Sequence, residues 1–305
     1  MRSERFLMAA GFCLISIIWG STWLFIKVGL ESVPPFFAVA LRFTIAMVIL
    51  ALIAKVRGER LSFDRDSVTI YFTMAVLSFS FPFALVYWGE QYIGSGLASI
   101  LFAIYPFVVA IGSHLFLPEE PLNPYKVAGI GLGFAGVLVI FWSDIHLGAS
   151  ATWGMAAVLA STIMQGTSLV IVKRKAKHMS PTILSLGGMV FGVAILYALA
   201  FTFEDVSAIR LDAVGLGSIL YLSTFGTVVT FQTYYWLLKR IDAVYLSLVS
   251  LVTPILAVVL GTIFLGEILD PRIYSGAALV LAGILAANGK DLLRVVRRET
   301  TKFIP

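Results

Sequence analysis

Charge is scarce in this chain. Only 13% of its 305 residues are Asp, Glu, Lys or Arg, about half of the ~25% carried by a typical soluble domain. So few charges cannot cover a globular surface in water, and a soluble enzyme is excluded. Cysteine is almost missing: Cys13 stands alone, which rules out an intramolecular disulfide and gives no sign of a thiolate metal site. Histidine is limited to His114, His146 and His178, and neither H-E-x-x-H nor G-x-x-x-x-G-K-[ST] occurs. Metal hydrolysis and ATP-driven pumping therefore have no support, and no metal, cofactor or catalytic residue is expected. His114, flanked by apolar residues, reads as a packed or interfacial side chain.

What the chain has instead is apolar residues. The AVILMFWYC set makes up 59%, with 26 glycines besides, and mean hydropathy is +0.96. A membrane-crossing helix needs about 20 mostly apolar residues. Ten runs qualify: 6–30, 34–54, 67–88, 94–117, 126–142, 152–172, 181–203, 213–238, 243–265 and 271–288. The first resembles a signal peptide in its basic start, but it lacks an A-x-A site and many similar runs follow, so it reads as a retained helix. The expected fold is all-α and integral to the membrane, with the lipid bilayer as its main partner.

The basic residues test this count independently, because Lys and Arg accumulate on the cytoplasmic side. Alternating the spans puts 18 of the 22 on the side of the N-terminus, from Arg2 and Arg5 to Arg297, Arg298 and Lys302. Only Arg210 and Arg272 fall on the other side, and Lys27 and Arg42 lie within spans. Missing or inventing one span would destroy the split. Both termini are expected in the cytoplasm, with 289–305 as a basic tail. The net charge of +5 is thus a matter of topology, and no nucleic-acid partner is expected.

The two halves repeat. Trp19-Gly20-Ser21-Thr22 aligns with Gln165-Gly166-Thr167-Ser168, Lys27 with Lys173 and Pro35 with Pro181, all at an offset of 146. Tyr87-Trp88 aligns with Tyr235-Trp236 and Pro106 with Pro254 at 148, and Gly129 with Gly276 and Gly136 with Gly283 at 147. The units are 6–142 and 152–288. Each holds an odd number of spans, so the second copy must insert upside down. Two inverted five-helix repeats around a central cavity, with a substrate site near the midplane, are the geometry of alternating-access transport.

Trp19-Gly20-Ser21-Thr22-Trp23, Leu41-Arg42-Phe43, Ala98-Ser99-Ile100-Leu101 leading to Pro106, and Phe264-Leu265-Gly266-Glu267 also resemble the EamA-type drug/metabolite transporters. The likeness runs from about residue 8 to 288 in both repeats. It implies a ten-helix exporter or facilitator of small metabolites, often amino acids, in the bacterial cytoplasmic (inner) membrane. Leu117-Pro118-Glu119-Glu120 departs from the family's usual Leu-Gly-Glu.

Several residues stand out as candidates. Pro106 and Pro254 each remove a backbone bond in mid-span and are expected as hinges or gates, with simple packing kinks as the alternative. Asn123-Pro124 and Asp270-Pro271 read as helix starts, with Glu120 and Glu267 just ahead of them. Gly129, Gly131, Gly133, Gly136, Gly276 and Gly283 suit close helix packing, within the subunit or between two copies, leaving monomer or homodimer open. Lys27 can snorkel to the interface. Arg42 lies about 12 Å into its span at ~1.5 Å per residue, and a charge there is a functional candidate; Glu90 is its nearest partner by depth.

The substrate path is expected along polar and aromatic faces: Trp19, Ser80, Tyr87, Phe102, Tyr105, Gln165, Tyr221, Phe225, Gln232 and Tyr235. The alternative for each is glue between helices. All 17 Asp and Glu fall in loops, tails or span ends, so a buried-carboxylate proton relay lacks its part, and downhill movement or exchange is expected. The reading is a secondary transporter of small neutral or zwitterionic metabolites, exporting amino acids or related compounds. A broad-specificity drug exporter and, in another class, a polytopic membrane enzyme are the alternatives.

Overall fold

Long apolar runs in a medium without water must satisfy their own backbone, and helices do so. The computed structural model describes residues 2–116, 122–143, 149–176, 178–205, 207, 209–238, 240 and 249–300, and among these there is no strand. Its helices are α1 (Arg2–Gly29), α2 (Pro35–Val56), α3 (Arg65–Gly89), α4 (Ser95–Phe116), α5 (Pro124–Ser143), α6 (Ala149–Lys175), α7 (Pro181–Phe203), α8 (213–238), α9 (Val249–Leu265) and α10 (Pro271–Thr300). Eight of them are long and apolar enough to cross a membrane; Val249–Leu265 and Pro271–Ala287 are shorter apolar helices. The protein is multi-pass, and α10 continues as helix into the basic tail. Leu117–Glu120 lie outside the described residues.

Helix starts follow local chemistry. Asn123 Oδ1 accepts from Lys126 N at 2.9 Å, and Asp270 Oδ1 accepts from Arg272 N at 2.8 Å. Each precedes a proline that has no N–H to satisfy. Asp212 caps α8 by accepting from Gly215 N at 2.7 Å. That N–H, followed by the Ser32 hydroxyl, holds the Asp212 carboxyl below the usual aspartate range.

The packing has a pattern. Helix α1 lies on α8 and α9, while α6 lies on α3 and α4; α3 packs on α7, and α8 on α2. Three further pairs join α2 to α7, α4 to α9 and α5 to α10. Exchanging every helix for the one five along returns the same pattern. Contacts between counterparts also run antiparallel. Gly129 meets the carbonyl of Gly283, whereas Gly136 lies so near Gly276 that a Cβ would come within 2.5 Å of its oxygen. At one end of α2, the Phe36 and Phe37 N–H groups donate to Glu204, beyond the end of α7, at 2.5 and 2.8 Å. At the other end, Ser180 ahead of α7 donates to Glu59 beyond α2. We call the end holding Glu204 the far end and that holding Glu59 the near end.

Two helices widen in the middle. Ala75–Ser80 in α3 and Thr224–Val229 in α8 are π-helical. In each, a hydroxyl reaches five residues back: Ser80 Oγ to Ala75 O at 2.6 Å, Thr227 Oγ1 to Leu222 O at 2.9 Å. Pro82, with no N–H to close a regular turn, adds to the cause in α3. Helix α4 is interrupted at residues 103–104, two positions before Pro106, whereas Pro254 is buried in an unbroken stretch of α9.

Candidate functional site

Arg42 is buried on α2, and its fork is satisfied by neutral groups. Nε donates to Thr227 Oγ1 at 3.0 Å, Nη1 to Tyr87 Oη at 3.3 Å and Nη2 to Gly226 O at 3.3 Å. The guanidinium lies 4.9 Å from the Phe83 ring centroid and 5.4 Å from that of Phe43, a cation–π arrangement that gains strength away from water. The widened turn of α8 explains the choice: it presents Thr227 and the Gly226 carbonyl at the depth of Arg42. Glu90, the expected partner, makes no hydrogen bond to it. Arg42 thus ties α2, α3 and α8 together.

The far end holds a second polar group of residues. Lys27 Nζ donates to the main-chain carbonyls of Glu90 and of Ile93, the latter at 2.9 Å. Glu267, just past α9, accepts from Ser95 N at 2.7 Å and Gly96 N at 3.0 Å. It caps the orphan donors of α4 and complements its dipole. Gly261 leaves the space: a Cβ there would come within 2.6 Å of Glu267 Oε2. Glu267→Ala is expected to cost about 1–2 kcal/mol, as for loss of a helix cap, read as a lower thermal midpoint in detergent. An unchanged midpoint would show that water replaces the cap. Glu90 itself is 0% exposed, and neither carboxylate oxygen has a hydrogen-bond partner. Its place at a span end does not keep it hydrated, because α3, α4 and the residues after α9 converge there.

Between these groups the interior is aromatic. Trp19 packs 5.3 Å from Tyr234 and 6.0 Å from Phe231, which is itself 6.0 Å from Phe79. Trp23 lies 5.4 Å from Phe102, which stacks on Tyr105 at 5.8 Å. Tyr221 stacks on Phe25 at 4.0 Å, and its hydroxyl pairs with Ser21 at 2.7 Å. All three groups meet on α1, whose Gly20 admits Leu256 of α9 so closely that a Cβ would lie 2.7 Å from it. Trp19, Tyr87, Phe102, Tyr105 and Tyr221 are therefore placed around α1–α4 and α8.

Other candidates fall elsewhere. Ser80 uses its hydroxyl on its own helix, and Gln165 Nε2 bonds Ser161 one turn back at 3.1 Å. Gln232 reaches Thr182 at 2.9 Å near the near end, joining α8 to α7. Phe225 stacks on Tyr221 but is 48% exposed. The Tyr235 side chain lies outside those described. Sequence reasoning missed Ser21, Trp23, Phe79, Phe231, Tyr234 and Thr227. The widened turn rotates every residue after it, so a stripe extended from Tyr221 at regular spacing loses its register. A cavity of about 880 Å³ lies at the far end between Pro34, Phe36, Trp88, Tyr92 and Glu204, and none of the expected path residues lines it.

Many transporters are helical membrane bundles built from internal repeats, and comparison with known proteins gives the family. The model of the EamA-like transporter family matches twice, at residues 7–142 and 152–289. The chain belongs to the EamA-like transporter family. It is 30% identical over 275 residues to the "Uncharacterized transporter YoaV" of Bacillus subtilis, covering 90% of this chain and 94% of that one. It is 27% identical over 284 residues to the "Probable amino-acid metabolite efflux pump" of Salmonella typhimurium, covering 89% and 91%. A crystal structure with 21% identity superposes with a TM-score of 0.68, covering 92% of this chain and 96% of that one; this likeness concerns the fold.

Proposed function

We infer that the protein is a secondary transporter that exports small neutral or zwitterionic metabolites, amino acids or related compounds among them, across the bacterial inner membrane. The observation that carries this reading is the exchange pattern: the main packing relations between the two five-helix sets recur with the roles reversed, and the paired counterparts run antiparallel. Two inverted units of this kind have two equivalent arrangements, one open to each side. The near end, rich in Lys and Arg, is then cytoplasmic. Substrate is held among the α1 aromatics by stacking and by hydroxyls such as those of Ser21 and Tyr221. The efflux name of the Salmonella relative supports the amino-acid class. Glycines facing each other within one chain favour a monomer.

Purified protein in liposomes tests this. Saturable uptake of labelled amino acids is expected, and Trp19→Ala is expected to raise the half-saturating concentration about tenfold, the effect of losing an aromatic contact worth ~1.4 kcal/mol. Uptake no greater than in empty liposomes for every amino acid would overturn the substrate class; a Trp19→Ala protein indistinguishable from wild type would overturn the site.

A further inference from the structure

Glu90 is a feature that the reading above leaves unused. Its carboxylate is completely buried at the far end and accepts no hydrogen bond, an arrangement that a membrane protein does not sustain for structure alone. The groups around it are mixed in sign. Lys27 comes from α1, Arg42 from α2, Tyr87 from its own helix and Glu267 from the segment after α9; Lys27, Arg42 and Glu267 act on it through charge. Helix α6, also packed on this part of α3, sets Gly154 and Val158 against Gly89. Each cation already has its hydrogen bonds elsewhere: Lys27 on main-chain carbonyls and Arg42 on Thr227, Tyr87 and Gly226. A solute ammonium group would need an opening beside Glu90, whereas a proton needs only a transient water.

We propose that Glu90 is a proton-binding site that couples solute movement to the proton gradient. This rests on the transport reading. The carboxylate takes up one proton at the far end, becoming neutral, and releases it once the repeats have exchanged positions. The neighbouring Glu267 supplies the link to conformation. It caps α4 from the other repeat, and a negative charge on Glu90 opposes the negative charge of that cap. Protonated Glu90 therefore favours the closed far end, and ionised Glu90 favours its release.

The test compares wild type with Glu90→Gln, which keeps the shape and removes the titratable proton. In liposomes preloaded with amino acids, an imposed pH gradient is expected to drive wild-type accumulation at least about tenfold above equilibrium exchange. Glu90→Gln is expected to keep exchange and lose that drive. Gradient-driven accumulation that survives Glu90→Gln, or wild-type flux indifferent to the gradient, would overturn the proposal. So would loss of exchange confined to solutes bearing an ammonium group, which would make Glu90 a substrate contact. A second measurement does not depend on flux. Infrared difference spectra of the purified protein across a pH titration should show a protonated-carboxyl band in wild type that is missing in Glu90→Gln. No flux together with that band would sink the transport reading and retain the proton site; no band would sink the proton site whatever the flux. Equal thermal midpoints for the two proteins show that Glu90→Gln is folded.

Discussion

Arg42→Leu is expected to destabilise the protein by about 2–4 kcal/mol, the combined cost of stranding a buried hydroxyl and losing the cation–π contacts of the guanidinium, and to lower its thermal midpoint in detergent by about 10 °C. Leucine fills part of the space but leaves Tyr87 Oη without the donor that met it, while Thr227 Oγ1 keeps its bond to Leu222 O and Gly226 O keeps the one from Thr230 Oγ1. A stranded polar group costs about 1–3 kcal/mol. Arg42→Lys keeps the charge but reaches fewer of the three acceptors and loses the planar face that lies over Phe83. It should fall between leucine and wild type. Thermal melts of the three proteins monitored by gel filtration check this. A leucine variant as stable as wild type would show that Tyr87 Oη finds another partner or water.

The second large effect concerns the α5–α10 crossing. A Cβ on Gly283 would lie 2.5 Å from the carbonyl oxygen of Gly129, 2.8 Å from Gly133 N and 3.2 Å from the Phe107 ring. The first two are backbone atoms that cannot rotate away, so Gly283→Leu must push the helices apart. A cost of about 3 kcal/mol is expected, the upper range for overpacking, with little folded protein recovered. Gly131 has nothing within 4 Å, so Gly131→Leu should be recovered at wild-type yield. The pair separates two uses of the glycines. Sensitivity at Gly131 with tolerance at Gly283 would mean that the important face meets a second copy, not α10.

The residues show why some of this was legible in the sequence. Asn123-Pro124 and Asp270-Pro271 start helices because capping depends on neighbours in the chain. The glycine pairs could be read from spacing, since close packing has a period. Arg42 could be recognised as a buried charge from its depth alone. Its partners could not be, because they depend on the widened turn at Thr224–Val229, and nothing in a regular helical repeat announces an extra residue in a turn. The burial of Glu90 escaped the sequence for a related reason. Its position at a span end gave no sign of a fully buried carboxylate, since burial there is decided by Lys27, Ile93 and the Glu267 segment, which arrive from distant parts of the chain. Gln165 and Gln232 were expected to face the interior as amides do in lipid; one bonds within its own helix and the other to α7 near its start.

The central claim is that two inverted repeats rock against each other. Spin-label pairs on a Cys13→Ser background test it directly, one pair at Gln91 and Ile268 on the far end and the other at Leu115 and Arg240 on the near end, all exposed positions. Distances in liposomes, with and without a saturating mixture of amino acids, are the measurement. The two pairs should shift in opposite senses, one end closing as the other opens. Both distances unchanged, or both growing together, in protein that exchanges solute would contradict alternating access.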